Sequence, residues 1–173
     1  MAVASPVRSK GRFVIGCDII EADKLSNQLV TLLPRNLDLR TANAIRLGIR
    51  ELLINAVEHG CLEIGFDLKT KIAESKDYLE FLLERQKQPE YRTRRVQVEY
   101  DIRPASIVFR ITDDGKGFDH RERTERARSD AAQPDLAHGR GIKMSLRIFN
   151  RVRYNSRGNS VTVAKKLPPQ ALD

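Results

Sequence analysis

The sequence predicts an α+β fold, a two-layer sandwich of a mostly antiparallel sheet with helices on one face. Short runs of β-branched and apolar residues follow one another across short turns, which is typical of antiparallel hairpins. Other segments carry apolar residues at helical spacing, which predicts helices that cover the sheet. A length of 173 residues fits one domain with one sizeable core.

The first elements are predicted to be a strand and two helices. Residues 11–20 are rich in β-branched and apolar side chains, which predicts a strand. Residues 21–33 place leucines at helical spacing and stop before Pro34, so they predict a helix. The strongest helical pattern spans residues 38–59, with Gly60 as its natural stop. Its apolar stripe consists of Ile45, Ile49, Leu52, Leu53 and Ala56.

The remaining elements alternate between helix and hairpin. In chain order they are a charged helix at 64–88, strands at 95–102 and 106–112, a long loop at 115–137, a helix at 139–149, and strands at 151–154 and 160–167. Pro89 ends the charged helix, and the turn around Pro104 joins the first two of these strands. A long loop inside a compact domain is usually functional, so the loop at 115–137 is a candidate for binding.

Composition argues against membrane and secreted proteins. No apolar run approaches the roughly 20 residues of a membrane helix. The early basic residues have no apolar segment behind them, as a secretory signal would require. We therefore expect a cytoplasmic protein with no membrane partner. Cys17 and Cys61 lie far apart in apolar segments, without metal-site spacing, and are predicted to be buried free thiols.

The formal net charge of +8 raises the question of nucleic acid. Arginines concentrate in residues 91–95 and 121–128, and neither segment interleaves aromatic residues with them as a base-stacking platform would require. A basic rim around an anionic small ligand or an acidic partner explains the excess equally well. Nucleic acid is therefore not the expected partner.

A first group of candidate residues lies along the long predicted helix. Glu51, Asn55 and His59 are spaced by four and are expected to share one face. Asparagine is a poor mid-helix residue, but its amide oxygen can bind Mg²⁺, and a carboxylate one turn away can act as a base. A solvated polar face is the alternative.

A second group closes a predicted strand. Asp113 ends the strand and is followed by Gly115 and Gly117. A strand-end carboxylate can accept a hydrogen bond from an exocyclic amine, while the glycines let the backbone approach a ligand closely. A plain Asp-Gly turn is the alternative.

A third group opens a predicted helix and runs from His138 through Gly139, Arg140 and Gly141 to Lys143. Glycines just before a helix let backbone N–H groups converge on phosphate oxygens, and Arg140 and Lys143 could add positive charge. A glycine-rich connector is the alternative. The sequence carries neither the P-loop lysine motif nor a dinucleotide-binding glycine motif between a strand and a helix.

The three motifs, in this order, resemble those of the GHKL (Bergerat-fold, histidine-kinase-like) ATPase superfamily. Residues 51–60 resemble its N-box, residues 113–117 its G1 box and residues 139–141 its G2 box. The stretch from Gly158 is similar to the strand that lines the adenine pocket. The E-x-x-x-N-A-x-x-H-G form of the N-box is most similar to the anti-sigma-factor serine/threonine kinase branch.

The resemblance implies ATP and Mg²⁺ as cofactors and a role for each motif. Glu51 would be the catalytic base, and Asn55 would bind the metal and the nucleotide. Asp113 would bind the adenine amine, with Gly115 and Gly117 letting the backbone approach and Ser160 supplying a hydroxyl near adenine. The phosphates would be held by His138, Gly139, Arg140 and Gly141.

The resemblance also implies a domain organisation. A disordered segment at 1–10 precedes an ATP-binding domain at 11–167, and a tail follows at 168–173. Within the domain, residues 64–93 form a helical insertion and residues 118–137 form an ATP lid.

The implied function is a Mg-ATP-dependent serine/threonine kinase. Its substrate would be a STAS-domain anti-sigma-factor antagonist, a sigma factor is a further possible partner, and the chain would form a homodimer. The first alternative is a catalytically weak ATP-binding switch that sequesters a protein partner. The second is a basic nucleic-acid binder.

Overall fold

The computed structural model describes residues 8–65, 68, 71–72, 77–118 and 140–167. Within them, five strands form one sheet in the order β1-β2-β3-β5-β4, and every neighbouring pair is antiparallel. The strands are β1 (Ser9–Ile15), β2 (Val96–Arg103), β3 (Ser106–Asp113), β4 (Arg151–Tyr154) and β5 (Ser160–Lys166). The predicted α+β fold with a mostly antiparallel sheet is confirmed.

Four helices accompany the sheet in the described residues. They are α1 (Ile19–Thr31), α2 (Leu39–Asn55), α3 (Tyr78–Lys87) and α4 (Arg140–Ile148). Asp18 and Asp38 cap α1 and α2, each with a side-chain oxygen that accepts from backbone N–H groups of the first turn. Helix α2 packs against both α1 and α4 and is therefore central to the helical layer.

The core lies between the helices and one face of the sheet. On β3, the buried side chains Ile107, Phe109 and Ile111 alternate with more exposed ones, as expected for a strand with one covered face. The predicted apolar stripe of α2, from Ile45 to Ala56, is buried throughout. Asp113 ends β3 on this same covered face.

Helix α2 ends in a π turn at Ala56–Cys61. The backbone N–H of Leu62 donates to the carbonyl of Val57 at 2.8 Å, five residues earlier. The sequence predicted an α-helix through His59 with a stop at Gly60, and this is corrected by the structure.

Other boundaries are also corrected. Strand β1 begins at Ser9, inside the segment predicted to be disordered, because Ser9 and Lys10 pair with Ile102 and Asp101 of β2. It ends at Ile15 and not at residue 20, because Asp18 caps α1. In the predicted insertion at 64–93, the described helix is Tyr78–Lys87, and several residues between 66 and 76 lie outside the described part. Residues 1–7, 119–139 and 168–173 also lie outside it.

Candidate functional site

One end of the candidate site forms where α2 meets the start of α4. A Cβ atom added to Gly141 would lie 2.7 Å from Asn55 Nδ2 and 3.6 Å from Glu51 Oε2. The first and third sequence motifs, which are far apart along the chain, are therefore in contact. A side chain at residue 141 would therefore require the amide of Asn55 to move.

The two helices are held at this distance by packing further along. A Cβ atom on Gly48 of α2 would lie 2.8 Å from the ring of Phe149, directly after α4. The hydroxyl of Ser145, which is fully buried, donates to the carbonyl of Gly141 at 2.8 Å. The first contact brings α2 close to the C-terminal end of α4, and the second lies within α4 itself.

Glu51 remains open to solvent at this end. Its side chain is 31% exposed, and Oε1 lies 3.8 Å from Nη1 of Arg50. Arg50 is also paired with Asp23 of α1. The Glu51 carboxylate is therefore held near the surface by one cation and can be reached by a reactant from solution.

The other end of the site forms where the π turn meets the end of β3. A Cβ atom on Gly60 would lie 2.3 Å from Cγ of Asp113, and one on Gly115 would lie 2.3 Å from the carbonyl oxygen of Gly60. Backbone atoms thus form the walls around the Asp113 carboxylate. Gly60 was predicted to stop the helix and was given no site role, although its place in the N-box segment 51–60 is a signal for one.

Asp113 is a buried carboxylate with few partners. It is 8% exposed, and its Oδ1 accepts from the backbone N–H of Gly115 at 2.9 Å. Burial raises the pKa of Asp113 to about 6, against opposing effects that include the Gly115 N–H and the positive charge of Arg157. A buried carboxylate with remaining acceptor capacity suits a ligand that donates hydrogen bonds.

The loop before β5 supports this end. Asn159, which sequence analysis did not assign to the site, donates from Nδ2 to the carbonyl of Asp113 at 2.7 Å. Gly117 and Gly158 both have positive φ, +81° and +79°, and a Cβ atom on Gly117 would lie 1.9 Å from the carbonyl oxygen of Arg157. Arg157 also donates to the carbonyl of Gly115 at 3.1 Å. The glycine segment after Asp113 is thereby tied to the β4–β5 hairpin.

Two residues from the sequence analysis are not brought to these groups. His59 lies in the π turn, and its Nδ1 is 2.6 Å from the carbonyl of Ile64, a contact that holds the local chain. Ser160 pairs with Thr112, and the two hydroxyls are 2.7 Å apart on the face of the sheet opposite Asp113. Ser160 therefore does not supply a hydroxyl beside Asp113, because side chains alternate between the two faces of a strand.

Part of the third motif lies outside the described residues. His138, Gly139 and nearly all of the predicted lid at 118–137 belong to that part. Helix α4 is described from the backbone of Arg140, the residue before it lies outside the described part, and Gly141 lies beside Asn55. Among the described side chains, no three acidic, histidine or cysteine groups gather in a way that could hold a metal ion by themselves.

Residues 30–165 match the model of the histidine kinase-like ATPase domain family, which is more than half of the chain. The chain belongs to this family, and membership indicates an ATP-binding, kinase-like function. A comparison with curated proteins gives no match.

No helix in the described part of the chain has the length and apolar character needed to cross a bilayer.

The described residues fit the nucleotide that family membership implies. Gly60 and Gly115 let main-chain atoms lie directly against the Asp113 carboxylate, because a Cβ atom on either residue would clash there. The carboxylate has acceptor capacity for an exocyclic amine such as that of adenine. The described start of α4 lies next to Asn55, and the glycine motif predicts a helix N-terminus there, whose backbone N–H groups favour phosphate.

Proposed function

We propose that the protein is a Mg-ATP-dependent serine/threonine kinase of the anti-sigma-factor type. The single observation that carries the proposal is the contact of Glu51 and Asn55 with Gly141 at the start of α4. This contact joins a solvent-accessible carboxylate and an amide to the helix terminus suited to phosphate. A base, a metal ligand and a phosphate-binding terminus are the parts that phosphoryl transfer requires.

Each residue then has a separate task. Asn55 offers a neutral amide oxygen to Mg²⁺, which in proteins is bound by few side chains together with substrate phosphates. Glu51 accepts the proton of the acceptor hydroxyl. Asp113 accepts a hydrogen bond from the adenine amine, and Gly60 and Gly115 keep its pocket narrow. Bound Mg-ATP supplies the phosphoryl group and the divalent charge that neutralises it.

The protein substrate we propose is a STAS-domain anti-sigma-factor antagonist, phosphorylated on serine or threonine. The support is the form of the N-box, with Glu51, Asn55 and His59 at intervals of four followed by Gly60. A homodimer and a contact with a sigma factor belong to the same proposal. Light scattering of the purified chain tests the dimer, since a monomeric mass at micromolar concentration would contradict it.

The proposal is tested by changing the base alone. Glu51→Gln keeps the shape of the side chain but lowers its basicity, so Mg-ATP binding is expected to remain within about twofold of wild type. Phosphate transfer to a purified STAS-domain antagonist is expected to fall by at least about a hundredfold. Radiolabelled transfer and calorimetric titration measure the two effects separately.

The matched control is Glu84→Gln. Glu84 lies on α3, is 65% exposed and pairs with Lys87, so its loss should alter neither measurement. Transfer by Glu51→Gln at the wild-type rate would exclude Glu51 as the base. Binding of ATP by wild type with no transfer to any STAS-domain antagonist would instead favour the ATP-binding switch.

A further inference from the structure

Helix α3 is bonded to the outer side of the π turn at two points. The hydroxyl of Tyr78, in the first turn of α3, donates to Oε1 of Glu58 at 2.7 Å. Arg85, in the last turn of α3, donates from Nε to the carbonyl of Leu62 at 2.6 Å. Glu58 lies within the π turn, and Leu62 directly follows it. Both ends of α3 are therefore attached to the end of the N-box segment.

Tyr91 and Arg94, in the chain before β2, complete this support. Arg94 donates from Nη1 to the carbonyl of Cys61 at 2.7 Å. The guanidinium groups of Arg85 and Arg94 lie 4.7 Å and 5.1 Å from the centroid of the Tyr91 ring, and Nη2 of Arg85 donates to the Tyr91 hydroxyl at 2.8 Å. Cation–π contacts and hydrogen bonds thus hold the two arginines in place. Helix α3 and the chain before β2 form one support behind the π turn.

Glu58 is the buried acidic group in this support. It is 1% exposed, and a buried carboxylate oxygen loses stability when one of its hydrogen-bond donors is removed. Burial and the Glu58 carboxylate raise the pKa of the Tyr78 hydroxyl, which therefore stays protonated and donates at neutral pH. Because solvent barely reaches Glu58, the Tyr78 hydroxyl supplies a hydrogen bond that water does not replace.

The inner side of the same turn lies against the proposed adenine pocket. A Cβ atom on Gly60, two residues after Glu58, would lie 2.3 Å from Cγ of Asp113. The carbonyl of Gly60 lies equally close to the position of a Cβ atom on Gly115. A displacement of the π turn therefore changes the position of main-chain atoms around the Asp113 carboxylate.

We infer that Tyr78 is a positioning residue for the nucleotide site: through Glu58 it holds the π turn so that Gly60 lies against Asp113. The predicted insertion at 64–93 then has a role in nucleotide binding, which it exerts through the π turn. The effect on nucleotide rests on the proposed function, whereas the hold on the π turn does not.

The first experiment is calorimetric titration of Mg-ATP into Tyr78→Phe, which removes the hydroxyl and keeps the ring. The dissociation constant is expected to rise by about five- to tenfold. The matched control is Tyr100→Phe in β2, where the Tyr100 ring stacks on Phe13 with the centroids 5.8 Å apart. Its affinity is expected to stay within about twofold of wild type. Wild-type affinity in Tyr78→Phe would overturn the inference.

A double variant separates positioning from a general loss of stability. In an Asp113→Asn background the proposed contact with the adenine amine is already lost. Adding Tyr78→Phe there is expected to weaken Mg-ATP binding by less than about twofold, because both changes act on the same pocket. If Tyr78→Phe weakened binding by the same factor in both backgrounds, Tyr78 would act elsewhere and the inference would be wrong.

Amide hydrogen exchange without nucleotide tests the hold on the π turn directly. Exchange in residues 56–62 is expected to be about tenfold or more faster in Tyr78→Phe than in wild type, with exchange in β3 unchanged. Equal exchange of residues 56–62 in the two proteins would contradict the inference. If wild type binds no Mg-ATP, the proposed function fails and the effect on nucleotide fails with it. The exchange measurement still decides whether Tyr78 holds the π turn.

Discussion

At the scale of single residues, Asp113 is the group on which nucleotide recognition is proposed to depend. We expect Asp113→Asn to keep the acceptor for the Gly115 N–H but to place an amide NH₂ where the adenine amine would donate. A hydrogen bond to a charged group is worth about 1.5–3 kcal/mol, so affinity for Mg-ATP should fall by about 10- to 100-fold or more. Calorimetric titration measures the change.

The control for this variant is the neighbouring acid. Asp114 accepts from the backbone N–H of Arg95 at 2.9 Å and is exposed. Asp114→Asn is therefore expected to bind Mg-ATP with nearly wild-type affinity. An equal loss of Mg-ATP affinity in Asp113→Asn and Asp114→Asn would show that the overall charge of this segment, and not the Asp113 pocket, determines binding.

Asp113 also predicts how stability depends on pH. Burial raises its pKa to about 6 from an ordinary value of 3.8. Between these values the folded chain binds more protons than the unfolded chain at this position. Stability is therefore lost as pH rises from about 4 to about 6 and stays reduced above that. The size of the effect is about 2–3 kcal/mol.

The comparison that isolates this effect is wild type against Asp113→Asn. The variant has no carboxyl group to titrate at this position. The free energy of unfolding of Asp113→Asn minus that of wild type should therefore be about 2–3 kcal/mol larger at pH 8 than at pH 4. Denaturant unfolding at the two pH values measures it. A constant difference at both pH values would mean that Asp113 ionises normally in the folded protein.

At the scale of elements, the π turn determines the position of the pocket wall. Gly60→Ala would place a Cβ atom 2.3 Å from Cγ of Asp113. We expect overpacking to reduce stability by about 1–3 kcal/mol and affinity for Mg-ATP by at least about tenfold. Thermal unfolding and calorimetry measure the two effects.

Gly65→Ala is the matched control, because no atom lies within 4 Å of a Cβ atom at residue 65. It should leave both stability and affinity close to wild type. Nearly wild-type affinity in Gly60→Ala would mean that the π turn can move away from Asp113 without consequence for the nucleotide.

The elements also show what sequence can and cannot predict. The stripe from Ile45 to Ala56 and the runs in β2 and β3 have clear periods of 3.6 and 2, so their structures followed from pattern alone. The amino-acid sequence does not predict the π turn, because the helical spacing of apolar residues continues past Asn55. The face on which Ser160 lies depends on its register with Thr112, and a shift of one residue reverses it.

For the candidate site, too, local sequence motifs could be predicted, whereas contacts between distant segments could not. The family resemblance selected Glu51, Asn55 and Asp113 because their motifs are local in sequence. It could not reveal that Gly60 touches Asp113 or that Asn159 holds the Asp113 carbonyl, since these contacts join distant segments.

At the scale of the whole molecule, the two ends of the site belong to one helical layer on one sheet. A ligand bound only by the folded chain should therefore stabilise the whole domain. At 100 times its dissociation constant, Mg-ATP should add about 2.7 kcal/mol and raise Tm by about 5–10 °C. Asp113→Asn at the same ATP concentration should show a much smaller rise.

Differential scanning calorimetry measures this effect with and without Mg-ATP. A single transition that moves as a whole would show that β3, α2 and α4 unfold together. An unchanged Tm despite calorimetric binding would show that the segment in contact with nucleotide unfolds separately from the rest of the domain.

The glycine walls around Asp113 also matter for inhibitors. Gly60 and Gly115 contribute main-chain atoms, and each has a carbonyl or carboxylate within 3 Å of the position a Cβ would take. A side chain added at either glycine would displace the Asp113 carboxylate or the Gly60 carbonyl, the groups proposed to surround the adenine amine. Resistance to a compound bound at this end, if gained by substitution at these two glycines, would therefore weaken ATP binding as well.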